Sequence, residues 1–410
     1  MKFEKELQKY ADLLVEVGLN IQEGDKMVIN MDQHALDLAR IVAKKAYQRG
    51  ADDVTFNFRD DELSLTRYME ARDEAFEHFP EYESEYLLKR LQDNTHTLSI
   101  ISPNPELLKD VNPDRIAQYQ KVVGLATKSI AEWSMANRSK WCVACTVSPT
   151  WAKIVFPDLE EEEAVDKLWQ AVFDATRVSL EDPVQAWEDH NKQLKKNEAY
   201  LNEQRFKEIR FKGPGTDLRV PLVEHHNWVG GAGRHVGTEN LFMANIPTEE
   251  IFTMPHASKV SGRVASTKPL SVRGNLVEDF YMVFEEGKVV DFGAEKGREV
   301  LEKLLDTDEG ARRLGEVALV PDNSPISNTG ILFNNTLFDE NASCHLALGR
   351  AYAENIEGGT DMTDEDKEKK GMNDSIIHVD FMVGSKDVVV SGVNEHDEEV
   401  TLIKDGEWTI

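Results

Sequence analysis

The sequence predicts an α/β plus α+β protein: a mostly parallel α/β N-terminal domain over residues 1–205, then a mixed, strand-rich α+β domain over 206–410. Three observations carry this. Short β-branched runs alternate with helix-length amphipathic stretches in the first half. Near Phe206 the pattern changes to closely spaced strands. A chain of 410 residues also exceeds what one ordinary core supports.

Each element has its own warrant. Leu7, Tyr10, Ala11, Leu14 and Val17 recur at helical spacing and open the chain with an amphipathic helix. KMVIN (26–30), DVTFNF (53–58), TLSIIS (97–102) and WCVACTV (141–147) read as strands. HALDLARIVAKKAYQRG reads as a helix ending at Gly50, and 159–177 and 181–205 as two more. Acids from Glu160 to Glu163 suit the first turn of the former, where they meet the positive end of the helix dipole. Beyond Phe206, FKEIRFKG, TDLRVPL, LVEDFYMVFEEGKVVDF and DVVVSGV alternate as strands, one helix falls near 296–305, and Asp405-Gly406 marks a hairpin. Residues 354–375 form a long polar loop joining Tyr352 to His378, a candidate gate.

Composition narrows the function. Asp and Glu outnumber Lys and Arg by 75 to 47, for a net charge of −28, which repels phosphate backbones and anionic lipid; no nucleic-acid or membrane partner is expected. The N-terminus carries charges throughout, with no apolar stretch of signal-peptide or membrane-spanning length. Three cysteines make no disulfide framework, and the Cys142-x-x-Cys145 pair reads as strand packing rather than redox chemistry, so a cytoplasmic setting is expected. HExxH, GxSxG and GxxxxGK[ST] are absent, and the glycines of VGGAGRHVG lack dinucleotide spacing.

Metal-type ligands collect in four segments of the second half. Glu249 and Glu250 interrupt an apolar stretch between Pro247 and Pro255. Glu316 opens the run VALV, where a carboxylate risks burial and then needs a partner or a metal. His345 lies in a run of small apolar residues, with Tyr352 seven positions on. His378 and Asp380 alternate with Ile377, Val379 and Phe381, so as strand residues they share a face. Two Glu, two His and one Asp suit two divalent ions sharing a carboxylate, a centre able to hydrolyse amides. Taken singly, each has a plainer reading: a satisfied core histidine for His345, a turn acid for Glu250, a solvated edge strand for His378 and Asp380, an ion pair with Arg312 or Arg313 for Glu316.

NIPTEEIFTMP, GEVALVP, NASCHLALGRAY and NDSIIHVDFMVG resemble the signature stretches of the aminopeptidase T and aminopeptidase S family of metallo-aminopeptidases, and the likeness extends over essentially the whole chain. The resemblance implies two divalent ions, zinc or cobalt with manganese as an alternative, bound by Glu250, Glu316, His345, His378 and Asp380, with Tyr352 beside them. It also implies a homodimer that releases N-terminal residues from peptide substrates. Glu316 is the expected bridging carboxylate; Tyr352 is expected to reach the developing oxyanion or a metal, and Glu249 is a weaker candidate for general base or amine recognition. A metal-dependent amidohydrolase of a small metabolite and a non-catalytic binding protein are the competing classes.

Overall fold

The computed structural model describes residues 2–272 and 275–410. The chain folds into two compact units: Met1–His190 with Ala232–Pro247, and Asn191–Gly231 with Thr248–Ile410. The fold is the mixed α/β and α+β class expected, a parallel sheet with helices followed by antiparallel sheets.

In the first unit, strands Lys26–Met31, Asp53–Phe58, Thr95–Ile101 and Trp141–Cys145 pair in parallel. Helix Leu36–Gln48 shows how such a unit forms. Asp32 accepts a hydrogen bond from the His34 N–H as the chain enters it. Leu38, Ala39, Val42 and Ala46 then give it one buried stripe. It ends just before Gly50, whose φ of +93° only glycine adopts readily. A fifth strand, Asn245–Ile246, pairs in parallel with Trp141–Cys145. It lies beyond residue 205 and is too short to leave a periodic signature. The second half of helix Pro183–Gln204 belongs to the other unit. Cys142 and Cys145 are buried free thiols, and burial pushes the Cys142 pKa well up, the state of an inert thiol.

One polar group crosses the N-terminal ends of three strands in this unit. Lys140, 1% exposed, donates to Asp25 Oδ2 at 2.5 Å and to Asn20 O at 2.9 Å. The Lys140 N–H donates to His96 Nδ1 at 3.2 Å, so Nε2 carries the proton and faces Asp25 Oδ1 at 3.4 Å. Lys140→Met should strand a buried carboxylate and cost about 3–5 kcal/mol in a denaturant titration. A loss below about 1 kcal/mol would place the pair with ordinary surface ion pairs.

The second unit holds an antiparallel sheet of eight strands and a second sheet of five. In the larger, strands Glu399–Lys404 and Glu407–Trp408 form the expected hairpin, with Asp405 and Gly406 at φ of 55° and 78°. The smaller runs in the order His378–Met382, His345–Gly349, Leu314–Leu319, Ile251–Thr253, Val229–Gly230, all antiparallel. One of its faces is apolar: Val317, Leu319, Leu346, Leu348 and Phe381 join the main hydrophobic core of the unit. By strand alternation, Glu316, Ala318, His345, Ala347, His378 and Asp380 fall on the other face. Among the described residues no helix is long and apolar enough to cross a membrane.

A candidate dinuclear metal centre

The second face of the smaller sheet gathers its ligand-type residues by register. Glu316 lies opposite Ala347, and Ala347 opposite Asp380, forming one row across three strands. Ala318, His345 and Met382 form the next row, and Gly349 opposite His378 belongs to a third. Ala347 is thus the middle position between two carboxylates, where a larger side chain would crowd both.

Glu316 reaches that face because its strand is irregular. Leu314 pairs with Leu348 but Glu316 with Ala347, a one-residue shift that inserts Gly315. In an uninterrupted strand Leu314 and Glu316 would share a face. Here Leu314 stays in the core while Glu316 turns to the opposite side, the re-aiming that a bulge produces. Only glycine fits at 315, since a Cβ there would stand 2.3 Å from Gly349 O and 2.4 Å from Arg350 O.

The side chains then form two groups that share Glu316. Glu250, Glu316 and His345 place ligand atoms within 4.8 Å of one another, as do Glu316, His378 and Asp380. His345 Nε2 lies 3.1 Å from Glu250 Oε2 and 3.4 Å from Glu316 Oε1. His378 Nε2 lies 3.7 Å from Glu316 Oε2 and 3.3 Å from Asp380 Oδ1. The two oxygens of Glu316 therefore face different imidazoles. Each imidazole is oriented from behind: Nδ1 stands 3.3 Å from Ser343 O for His345 and 2.7 Å from Arg350 O for His378. A carbonyl only accepts, so Nδ1 donates and Nε2 is the nitrogen turned toward the carboxylates, free to offer its lone pair to a metal and otherwise to carry a proton.

The electrostatics fit a cation. Asp380 Oδ1 is buried and receives no well-directed hydrogen bond, its neighbouring nitrogen being His378 Nε2 at 3.3 Å. Burial raises the Glu316 pKa, against the pull of His345 and His378. For His345, Glu250 and Glu316 outweigh burial and raise the pKa. His378 behaves alike: Asp380 and Glu316 overcome burial and bring it up to about 9. Protons thus occupy the positions that metal charge would take. This donor set, imidazole nitrogen and carboxylate oxygen, suits zinc, cobalt or manganese.

Every residue singled out from the sequence can be placed. Glu250, Glu316, His345, His378 and Asp380 come together. The strand carrying His378 and Asp380 is an edge strand, but its polar face turns to the other ligands. Arg312 pairs with Asp306 at 2.6 Å and Arg313 with Glu309 at 3.8 Å, so neither takes Glu316. Tyr352 lies just before the short turn Ala353–Asn355, with its ring centre 4.7 Å from that of His378 and 6.1 Å from that of Phe252. Burial and then the charges of Glu316 and Asp380 push its pKa well up, so the phenol keeps its proton. Glu249 is buried beside Glu250, and its N–H donates to Asn341 Oδ1 at 2.7 Å.

Sequence reasoning missed Glu340. It lies in the turn Glu340–Ala342, and burial, followed by the charges of Asp380 and Glu250, raises its pKa well above the ordinary value. The turn is held firmly: Asp339 accepts from the N–H groups of Phe333 and Asn335 at 2.8 and 2.9 Å, and Ser324 Oγ donates to Asn341 O at 3.2 Å. Glu340 thus adds a further carboxylate to the wall of the centre. The polar segment around it has no period, and its only signal was an acid five residues before His345.

A family model described as thermophilic metalloprotease (M29) matches residues 3–408, and the chain belongs to this family of metal-dependent peptidases. Its relatives include aminopeptidase 2 from Geobacillus stearothermophilus, 46% identical over 99% of this chain and 98% of the relative. Aminopeptidase T from Thermus aquaticus is 44% identical over 100% of this chain and 99% of its own. A solved structure of wild-type AmpT from Thermus thermophilus superposes with a TM-score of 0.93 at 42% identity, covering 100% of both chains.

Proposed function

We propose that the protein is an aminopeptidase that removes N-terminal residues from peptides at two divalent ions held by Glu250, Glu316, His345, His378 and Asp380. The observation that carries this reading is the position of Glu316, whose two oxygens face the two ligand groups separately. The names of the full-length relatives support the substrate class. Zinc or cobalt, a homodimeric assembly and a cytoplasmic setting belong to the same reading.

Two divalent ions at such a site lower the pKa of a water and polarise the scissile carbonyl. The chain's own residues do the rest. Glu316 fixes the separation of the two groups. His345 and His378 present Nε2 in orientations set by Ser343 O and Arg350 O. Tyr352, protonated and packed beside His378, donates a hydrogen bond to the oxyanion that develops on the carbonyl. The acids crowded around the centre also favour a substrate whose reacting end bears an ammonium group.

Purified protein reconstituted with zinc or cobalt should hydrolyse aminoacyl-p-nitroanilides and leave their N-acetylated counterparts intact. Equal rates on both would indicate an amidohydrolase without the amine requirement. Failure on the whole panel by fully metallated protein would remove the peptidase reading.

A further inference from the structure

Tyr352 belongs to no regular element, so something other than secondary structure must keep it against the centre. Three residues on, Asn355 is 1% exposed. Its side-chain amide donates to Asn227 O and to Phe252 O, both at 3.3 Å, and its backbone carbonyl accepts the Asn227 N–H at 2.7 Å. The Asn355 N–H donates to Tyr352 O at 3.2 Å, closing the turn. Thr253 Oγ1 donates to Asn227 O at 2.8 Å. Asn355 thereby fastens the turn that follows Tyr352 to strand Ile251–Thr253, which directly follows Glu250. Phe252 of that strand meets the Tyr352 ring nearly edge-on, at 75°.

We propose that Asn355 is a positioning residue: its amide bonds Asn227 and Phe252, and so holds the Tyr352 hydroxyl in register with the Glu250 strand. This rests on the proposed role of Tyr352 in oxyanion stabilisation. An amide suits the position because both partners are carbonyls and both hydrogen bonds need donors. Without it the Tyr352 turn keeps its own closing bond and the backbone bond from the Asn227 N–H to Asn355 O, but loses its direct bond to Phe252 O on the strand. Displacement by about 1 Å of a group that acts in the transition state can cost about 100-fold. Asn227 O keeps Thr253 Oγ1 as a donor, so the loss leaves one fewer buried carbonyl unpaired.

The test is a double-mutant cycle on the metal-reconstituted protein, reading kcat, KM and bound metal. Asn355→Ala should lower kcat about 100-fold, with KM moving less than about threefold and metal content unchanged. Placed on Tyr352→Phe, itself expected to lower kcat, the same change should cost no more than about twofold. Asn355→Ser, which keeps one donor, serves if the alanine variant does not fold, and should fall between the two. An undiminished loss in the Tyr352→Phe background, or a loss of metal from the Asn355 variants, would overturn the positioning role alone. A Tyr352→Phe enzyme with full kcat would overturn the role of Tyr352 and this inference with it.

Discussion

Glu316→Gln should abolish measurable peptide hydrolysis, a fall of about 10³-fold or more, and should reduce the metal held by the protein. The amide occupies nearly the same volume but has one weak acceptor where the carboxylate had two charged ones. Glu316 is the residue common to both ligand groups, so its loss affects both at once. The effect on stability should have the opposite sign. Glu316 is buried and its carboxylate crowds Asp380 and Glu250. Neutralising it relieves repulsion and removes a desolvation cost, so the metal-free variant should melt no lower than the metal-free parent. Added zinc or cobalt should raise the parent's Tm and leave the variant's nearly unchanged, because only a cation bound by the folded state stabilises it. A variant that retains full metal and activity would show that Glu316 is a structural acid.

The second large effect is expected at Ala347, a residue with no ligand chemistry. It stands opposite Glu316 on one side and Asp380 on the other, fully buried. Ala347→Leu places a branched side chain over the row where the two groups meet. Overpacking of this kind costs about 1–3 kcal/mol, which a domain with an otherwise intact core survives. Metal binding should not survive it: elemental analysis should find the variant folded and largely metal-free, with activity gone. Ala347→Ser, which adds one atom, should keep metal and much of the activity. Full metal content in Ala347→Leu would mean that the ions lie elsewhere than above this row.

The parts of the site that could be read from the sequence are those where side chains interrupt a pattern. His378 and Asp380 were legible because period-two alternation places them on one face, as the strand His378–Met382 does. Glu316 was legible as a carboxylate set in an apolar run. The reason it leaves the core was not: a bulge at Gly315 depends on the register of a strand more than 30 residues away. Glu340 and Asn355 were hidden for a related cause. Both lie in short turns without periodicity, and the bonds of Asn355 reach backbone carbonyls 103 and 128 residues distant. In the fold, long strands and helices were read to within a few residues. The return of 232–247 to the first unit was not, because a two-residue strand gives alternation nothing to act on. The 354–375 loop reads differently once folded. Its helix Asp364–Lys369 has no buried residue, while Asn355 and Asn373 near its two ends are buried and hydrogen-bonded.

The number of ions that restores activity decides whether catalysis runs at a pair of metals bridged by Glu316. Protein stripped by chelation would be titrated with zinc or cobalt, following bound metal per chain and aminoacyl-p-nitroanilide hydrolysis together. Two ions per chain are expected, with activity that rises as the pair is completed. Full activity in the stripped protein, or saturation of both binding and activity at one ion, would contradict it.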